Sequence, residues 1–178
     1  FCSAPGIIVF QCCAVIKDSS IGICQGGGIW GVQSAIEVSG CTLDRNTVVG
    51  IGGIESFMLI VDNLIELTLP DLFDPMGPHF GDGVALIADL VPSIAFLFDN
   101  QIIGSDRAGV SNFGSNATLG GNAINFSAFD LEGEPYKGFD FFFDNVGANA
   151  CDHDNGLGPT DCLLETVGIQ PPGPVVTP

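Results

Sequence analysis

Apolar residues recur at every second position over several short stretches, as in Ile36-x-Val38, Leu59-x-Val61 and Ile94-x-Phe96-x-Phe98. Successive side chains of a strand point to opposite faces, so this spacing predicts short β-strands with one apolar face turned inward. A longer phrase runs through the same stretches: a Gly followed by Ile or Val, then a polar residue that opens an x-Val/Ile step. Gly6-Ile7 leads to Ser19, Gly31-Val32 to Asn46, Gly50-Ile51 to Asn63, Gly83-Val84 to Asn100 and Gly109-Val110 to Asn122. A fixed phrase with connectors of variable length predicts a solenoid in which each repeat is one turn.

Repeats of this length are too short for a strand and a packed crossover helix. The strands must therefore wind as a coil, right-handed by the general rule for parallel crossovers. The expected fold is all-β, a right-handed parallel β-helix of about five turns over 1–126, continued by a C-terminal cap and Pro-rich tail over 127–178. In that cap Phe129, Tyr136, Phe139, Phe141, Phe142 and Phe143 are expected to plug the open end, because exposed strand edges and bare core need covering. Ser19, Asn46, Asn63, Asn100 and Asn122 are expected to stack as a ladder, passing hydrogen bonds from turn to turn. The longest connector, 66–82, is Pro-punctuated and carries Phe73, Met76, His79 and Phe80, the candidates for a binding loop.

Composition narrows the function classes. With 46% hydrophobic and 14% charged residues, disorder is excluded, and 25 Gly with 11 Pro favour many turns over helices. The formal charge of −17 leaves Lys17, Arg45, Arg107 and Lys137 as the only cations, too few and too scattered to neutralise phosphates. Nucleic acid and anionic lipid are therefore not expected partners, and no apolar run is long enough for membrane insertion. Seven cysteines point to an oxidising compartment, and the odd number leaves one without a partner in the chain. Because the first repeat starts almost at once, further turns upstream are expected.

The Gly-Val/Ile turns, the steps Asp62-Asn63-Leu64-Ile65 and Asp99-Asn100-Gln101-Ile102, and the closing Leu119-Gly-Gly-Asn122 resemble right-handed parallel β-helix repeat proteins of the pectate-lyase-like superfamily. Phe80-Gly-Asp-Gly-Val84, Asp130-Leu-Glu-Gly and the Cys151 and Cys162 pair before a Pro-rich stop are similar to the C-terminal ends of long secreted or surface proteins of myxobacteria and related bacteria. The resemblance implies the fold and a place outside a bacterial cell or on its outer surface. It carries little about activity.

Chemistry is sparse. Arg107 is the one plausible base of a polysaccharide lyase, with Asp82, Asp89, Asp99 and Asp106 on neighbouring turns, but Asn-Thr-Asp and Gly-His-Gly motifs are lacking. Gly26-x-Gly28-x-x-Gly31 opens a strand rather than a helix, so it reads as turn glycine and not as a nucleotide cradle. Cys151 and Cys162 flank ten residues unsuited to regular structure and are expected to form a disulfide. Between them Asp152, Asp154, Asn155 and Asp161 offer oxygens in a calcium-loop-like order, although the Gly is one position early for an EF-hand. Apart from possible calcium, no cofactor is expected. The reading reached from sequence is a non-enzymatic extracellular structural or adhesive module whose partners are other protein chains or surface polysaccharide. The alternatives are a carbohydrate-active enzyme or carbohydrate-binding module near the 66–82 loop, and an assembly subunit stacking through its N-terminal edge.

Overall fold

The computed structural model describes residues 4–71, 80–153 and 162–172, and these form a parallel β-solenoid of about six turns without a helix. Each turn contributes three strands. The first is β1 (Ile7–Phe10), β2 (Cys13–Lys17) and β3 (Ser20–Gly22), and the second β4 (Ile29–Val32), β5 (Ala35–Ser39) and β6 (Thr42–Asp44). The third is β7 (Val49–Ile54), β8 (Phe57–Val61) and β9 (Leu64–Glu66), and the fourth β10 (Asp82–Ile87), β11 (Ile94–Phe98) and β12 (Gln101–Ile103). The fifth is β13 (Ala108–Phe113), β14 (Asn116–Gly120) and β15 (Ala123–Asn125). A sixth, through β16 (Phe129–Glu134), β17 (Phe142–Gly147) and β18 (Ala150–Cys151), runs one turn further than the five-fold sequence phrase, and β19 (Leu164–Glu165) adds to β16. Stacked turns give one seven-stranded and two six-stranded parallel sheets.

Why does this sequence coil? Most strand ends meet a corner residue with a left-handed backbone, commonly followed by a small polar residue turned inward. Gln11, Gln33 and Glu55 take φ near +50° at one corner, Asp18, Asp62 and Asp99 near +50° at the next, and Ile23, Arg45 and Leu67 near +55° at the third. Gly occupies the same place at Gly40, Gly104, Gly114 and Gly121, where a positive φ costs it nothing. The central core is a stack of like residues: Ile29, Ile51, Val84 and Val110 from the first sheet, Leu43, Ile65, Ile102 and Ile124 from the third, all buried. Gly50 permits the turns to stack closely, since a Cβ there would lie 2.6 Å from the carbonyl oxygen of Gly83.

The inward register of the second sheet corrects one expectation. Ile36 and Val38 face the core, but on β8 the inward residues are Met58 and Ile60, and on β11 Ala95 and Leu97. Leu59, Val61, Ile94, Phe96 and Phe98 therefore face outward, although their period-two spacing predicted an inward stripe. Both faces of these strands are apolar, so alternation cannot fix the phase. Packing does: Ala95 and Ala117 fit the narrow interior beside Met58, where large rings at Phe96 and Phe98 would not.

Candidate functional site

Two ladders of buried polar side chains hold the corners. At the corner between the second and third strands, Asn63 Nδ2 donates to Val38 O at 2.9 Å and to Asn100 Oδ1 at 3.0 Å. Asn100 repeats this to Ile60 O and Asn122 Oδ1, and Asn122 to Leu97 O and Asn149 Oδ1, all at 2.8–2.9 Å. Ser19 lies in the same column, where its carbonyl accepts from Thr42 N. Asn46 does not. It sits at the following corner, accepting from Cys24 N and donating to Ile21 O. The rung of the second turn is Cys41, whose Sγ donates to Ile16 O at 3.5 Å in the place of an amide. The phrase was misphased there: Gly28, not Gly31, stacks under Gly50.

The other ladder had not been read from the sequence. Ser34, Ser56, Ser93 and Ser115 are buried, and the backbone N–H of each of the first three donates to the hydroxyl of the next at 3.1–3.2 Å. Their spacing of 22, 37 and 22 residues is the signal that could have found them, since the rungs Cys41, Asn63, Asn100 and Asn122 keep the same intervals. Asn149 was missed because its step ends in Cys151 instead of Ile or Val.

The residues with chemical potential gather on the outer face of the seven-stranded sheet. Asp82 opens β10 and Arg107 lies just before β13 on the next turn, so the two side chains meet across adjacent strands. Arg107 Nε donates to Asp82 Oδ1 at 2.8 Å and Nη2 to Oδ2, and Ser111 Oγ donates to Oδ2 at 2.8 Å. The guanidinium also donates to Gln170 O at 2.9 Å and stacks on Phe80 and Phe113, 5.1 and 5.7 Å from their centroids. Asp82 is wholly buried and Arg107 is 7% exposed. Glu132 lies on the same face, in register with Ser111, and is wholly buried with neither carboxyl oxygen hydrogen-bonded within 3.5 Å. Burial first, and then the neighbouring Glu134, push its pKa up to about 9, opposed by Arg107 and helped least by Asp82. Glu132 is thus a neutral acid at pH 7.

A C-terminal strap closes this face. β19 pairs with β16, Thr166 Oγ1 donates to Gly133 O at 2.9 Å, Gly168 N donates to Glu134 Oε1, and Ile169 packs against the buried cluster of Trp30, Val49, Ala85, Ile87 and Phe113. Beside the strap, Ile54, Ile87, Lys137 and Gln170–Pro172 line a cavity of about 280 Å³. Of the four aspartates considered as partners of Arg107, Asp82 alone reaches it: Asp89 pairs with Lys137, while Asp99 and Asp106 are exposed. Of the loop candidates Phe80 packs on Arg107, whereas Phe73, Met76 and His79 lie outside the described residues.

At the last turn Cys151 and Cys162 form a disulfide, and Cys162 belongs to the main core. Asp152 is beside His153, and Asp130 beneath them is 1% exposed. Asp130 accepts from His153 N at 3.1 Å and faces His153 Nδ1 at 3.3 Å, with Asp152 Oδ1 3.4 Å from the same nitrogen. Burial raises the Asp130 pKa to about 6, the His153 contact opposing it. Potential ligand atoms of these three groups lie within 4.8 Å of one another. An imidazole among them suits a transition metal better than calcium, which takes oxygens. Asp154, Asn155 and Asp161 of the expected calcium set lie outside the described residues. No family model matches the sequence, and no curated protein matches it.

Proposed function

We propose that this chain is a non-enzymatic structural module, a stiff coil whose outer faces hold partners outside the cell or on its surface. The observation that carries this reading is the fate of Arg107, the one candidate base. Its guanidinium is buried, doubly bonded to Asp82 and capped by Gln170, so it has no free approach to a substrate. The disulfide supports an oxidising compartment. The likeness of the Asn steps to pectate-lyase-like repeats supports a right-handed winding and an origin in a secreted bacterial protein. Incubating the chain with a panel of acidic and neutral polysaccharides tests the proposal. Release of unsaturated or reducing ends would overturn it.

One observation favours a second reading. Glu132 keeps its proton while Asp82 faces a guanidinium, and paired carboxyl groups in contrasting environments are how glycosidases divide acid and base roles. That reading needs the strap removed. Cleavage appearing only after deletion of 164–178 would support it.

A further inference from the structure

The outer face of the second sheet differs from the strapped one: at its middle, on β8 and β11, it is apolar and no described residue covers it. Six consecutive outward positions on β8 and β11 are Phe57, Leu59, Val61, Ile94, Phe96 and Phe98, with Phe57 50% and Ile94 43% exposed. Antiparallel or parallel, a solvated sheet face is expected to be polar. The third sheet is more mixed, presenting Ser20, Thr42, Asp44, Gln101 and Glu66 outward beside Leu64, Ile103 and Ala123. Next to the apolar rows, the small side chains of Cys13 and Ala35 leave a hollow of about 330 Å³ between Val15, Glu37, Phe57 and Leu59. A patch of this kind with a hollow for one anchoring side chain has the anatomy of a protein interface.

The border of the patch is acidic. Asp18, Asp62 and Asp99 stand at the corner that ends β2, β8 and β11, all exposed, and none is in an ion pair among the described residues. Glu55 marks the opposite corner before β8. Two strands at ~4.8 Å and five residues at ~3.3 Å make the wholly apolar centre roughly 10 Å by 16 Å, about a fifth of the ~800 Å² that each partner buries in a stable complex. The remainder must come from the surround, where Lys17 is already paired with Glu37 and the unpaired charges are the aspartates. A second copy would bring the same aspartates against its own and add its own −17. Anionic lipid fails for the same reason.

We propose that this face docks a partner protein whose flat apolar centre is bordered by Lys and Arg. The inference deepens the structural reading above and rests on it, naming the kind of partner that the module holds. The rim steers and selects the partner, while Phe57, Phe96 and the hollow beside Leu59 supply the desolvated contact.

A labelled peptide of alternating Leu and Lys serves as the probe, with an all-Lys peptide of equal charge as its control. Fluorescence anisotropy is expected to show the Leu/Lys peptide bound more tightly than the control and weakened by salt. The double variant Phe57→Ser/Phe96→Ser should weaken it at least tenfold, without a change in the control and with cooperative unfolding retained, since both residues lie on the outer face of the sheet. Equal binding of the peptide to wild type and double variant overturns the proposal, because bulk charge then accounts for it. Dimerisation relieved by the double variant would make a second copy the occupant, and retention on insoluble neutral glucan lost in that variant would make it a polysaccharide; either overturns the proposal. Sugar release in the assay above, with peptide binding still sensitive to the double variant, would sink the non-enzymatic reading and leave the docking face standing. Peptide binding unaffected by the variant, without sugar release, would do the reverse.

Discussion

Asn100 receives on one oxygen, Oδ1, both the backbone N–H and the side-chain amide of Asn63, at 3.1 and 3.0 Å. The corner of one turn is thereby tied to the next by a residue that has no water to fall back on. Replacing Asn63 with Leu orphans Cys41 N, which donates to Asn63 Oδ1 at 2.9 Å, and Val38 O. A buried group left without its partner costs ~1–3 kcal/mol, so a loss of order 3 kcal/mol is expected in denaturant unfolding. Gln101→Ala, at an exposed outward position, should leave the midpoint unchanged.

Cys41 occupies an amide's place with a weak thiol donor at 3.4–3.5 Å. Cys41→Asn should restore the rung, giving Ile16 O a stronger donor and Ser19 N an acceptor. A gain of about 1 kcal/mol is expected, or roughly 2–4 °C in melting temperature for a chain of this size. A fall in melting temperature would mean that the second turn is too tight for an amide.

The Asp82–Arg107 pair should be costly to break from one side. Arg107→Met leaves a buried carboxylate supported by Ser111 alone and is expected to lose ~3–5 kcal/mol. Adding Asp82→Asn should recover part of that loss, because the stranded charge goes with it. Equilibrium unfolding of the two variants side by side checks both signs.

Glu132 gives the protein a pH dependence of definite sign. Its folded-state pKa of about 9 lies above the ordinary value, so the folded state holds a proton that the unfolded chain has released. Stability is then greatest below the unfolded pKa of about 4.5 and falls as pH rises through 5 to 9. Asp130, raised to about 6, adds a fall in the same direction at the acidic end of that window. Melting temperature should decline from pH 5 to 9 in the wild type. Glu132→Gln should flatten the decline above pH 7, and a slope unaltered by that change would show that Glu132 ionises normally.

The coil was legible in the sequence because its cause is local: alternation names strands, and a recurring Gly and Asn name corners. What the sequence withheld was phase. At Gly28 and Gly31 two glycines compete for one role, and at Cys41 a thiol hides a rung. On β8 and β11 both faces are apolar, so only the width of the interior decides that Ala95 turns in and Phe96 out. The Arg107 site was half legible. Its residues could be named, but pairing with Asp82 depends on a stacking register broken by the 66–82 connector, and the strap belongs to a segment far along the chain. Glu132 gave no signal, since nothing in Asp130-Leu-Glu-Gly distinguishes a buried acid from a solvated one.

The asparagine ladder has an electrical consequence. Asn63, Asn100 and Asn122 each aim an N–H at the following turn, and Asn63 Oδ1 accepts from the preceding one, so their dipoles lie head to tail along the coil axis. Aligned amides polarise one another, and each bond strengthens the next. The column behaves as a wire whose middle links matter more than its ends: Asn100 draws on neighbours in both directions, Asn149 on fewer. The spine of the coil is directional, negative toward the early turns and positive toward the late ones, even though the strands around it carry no such net polarity.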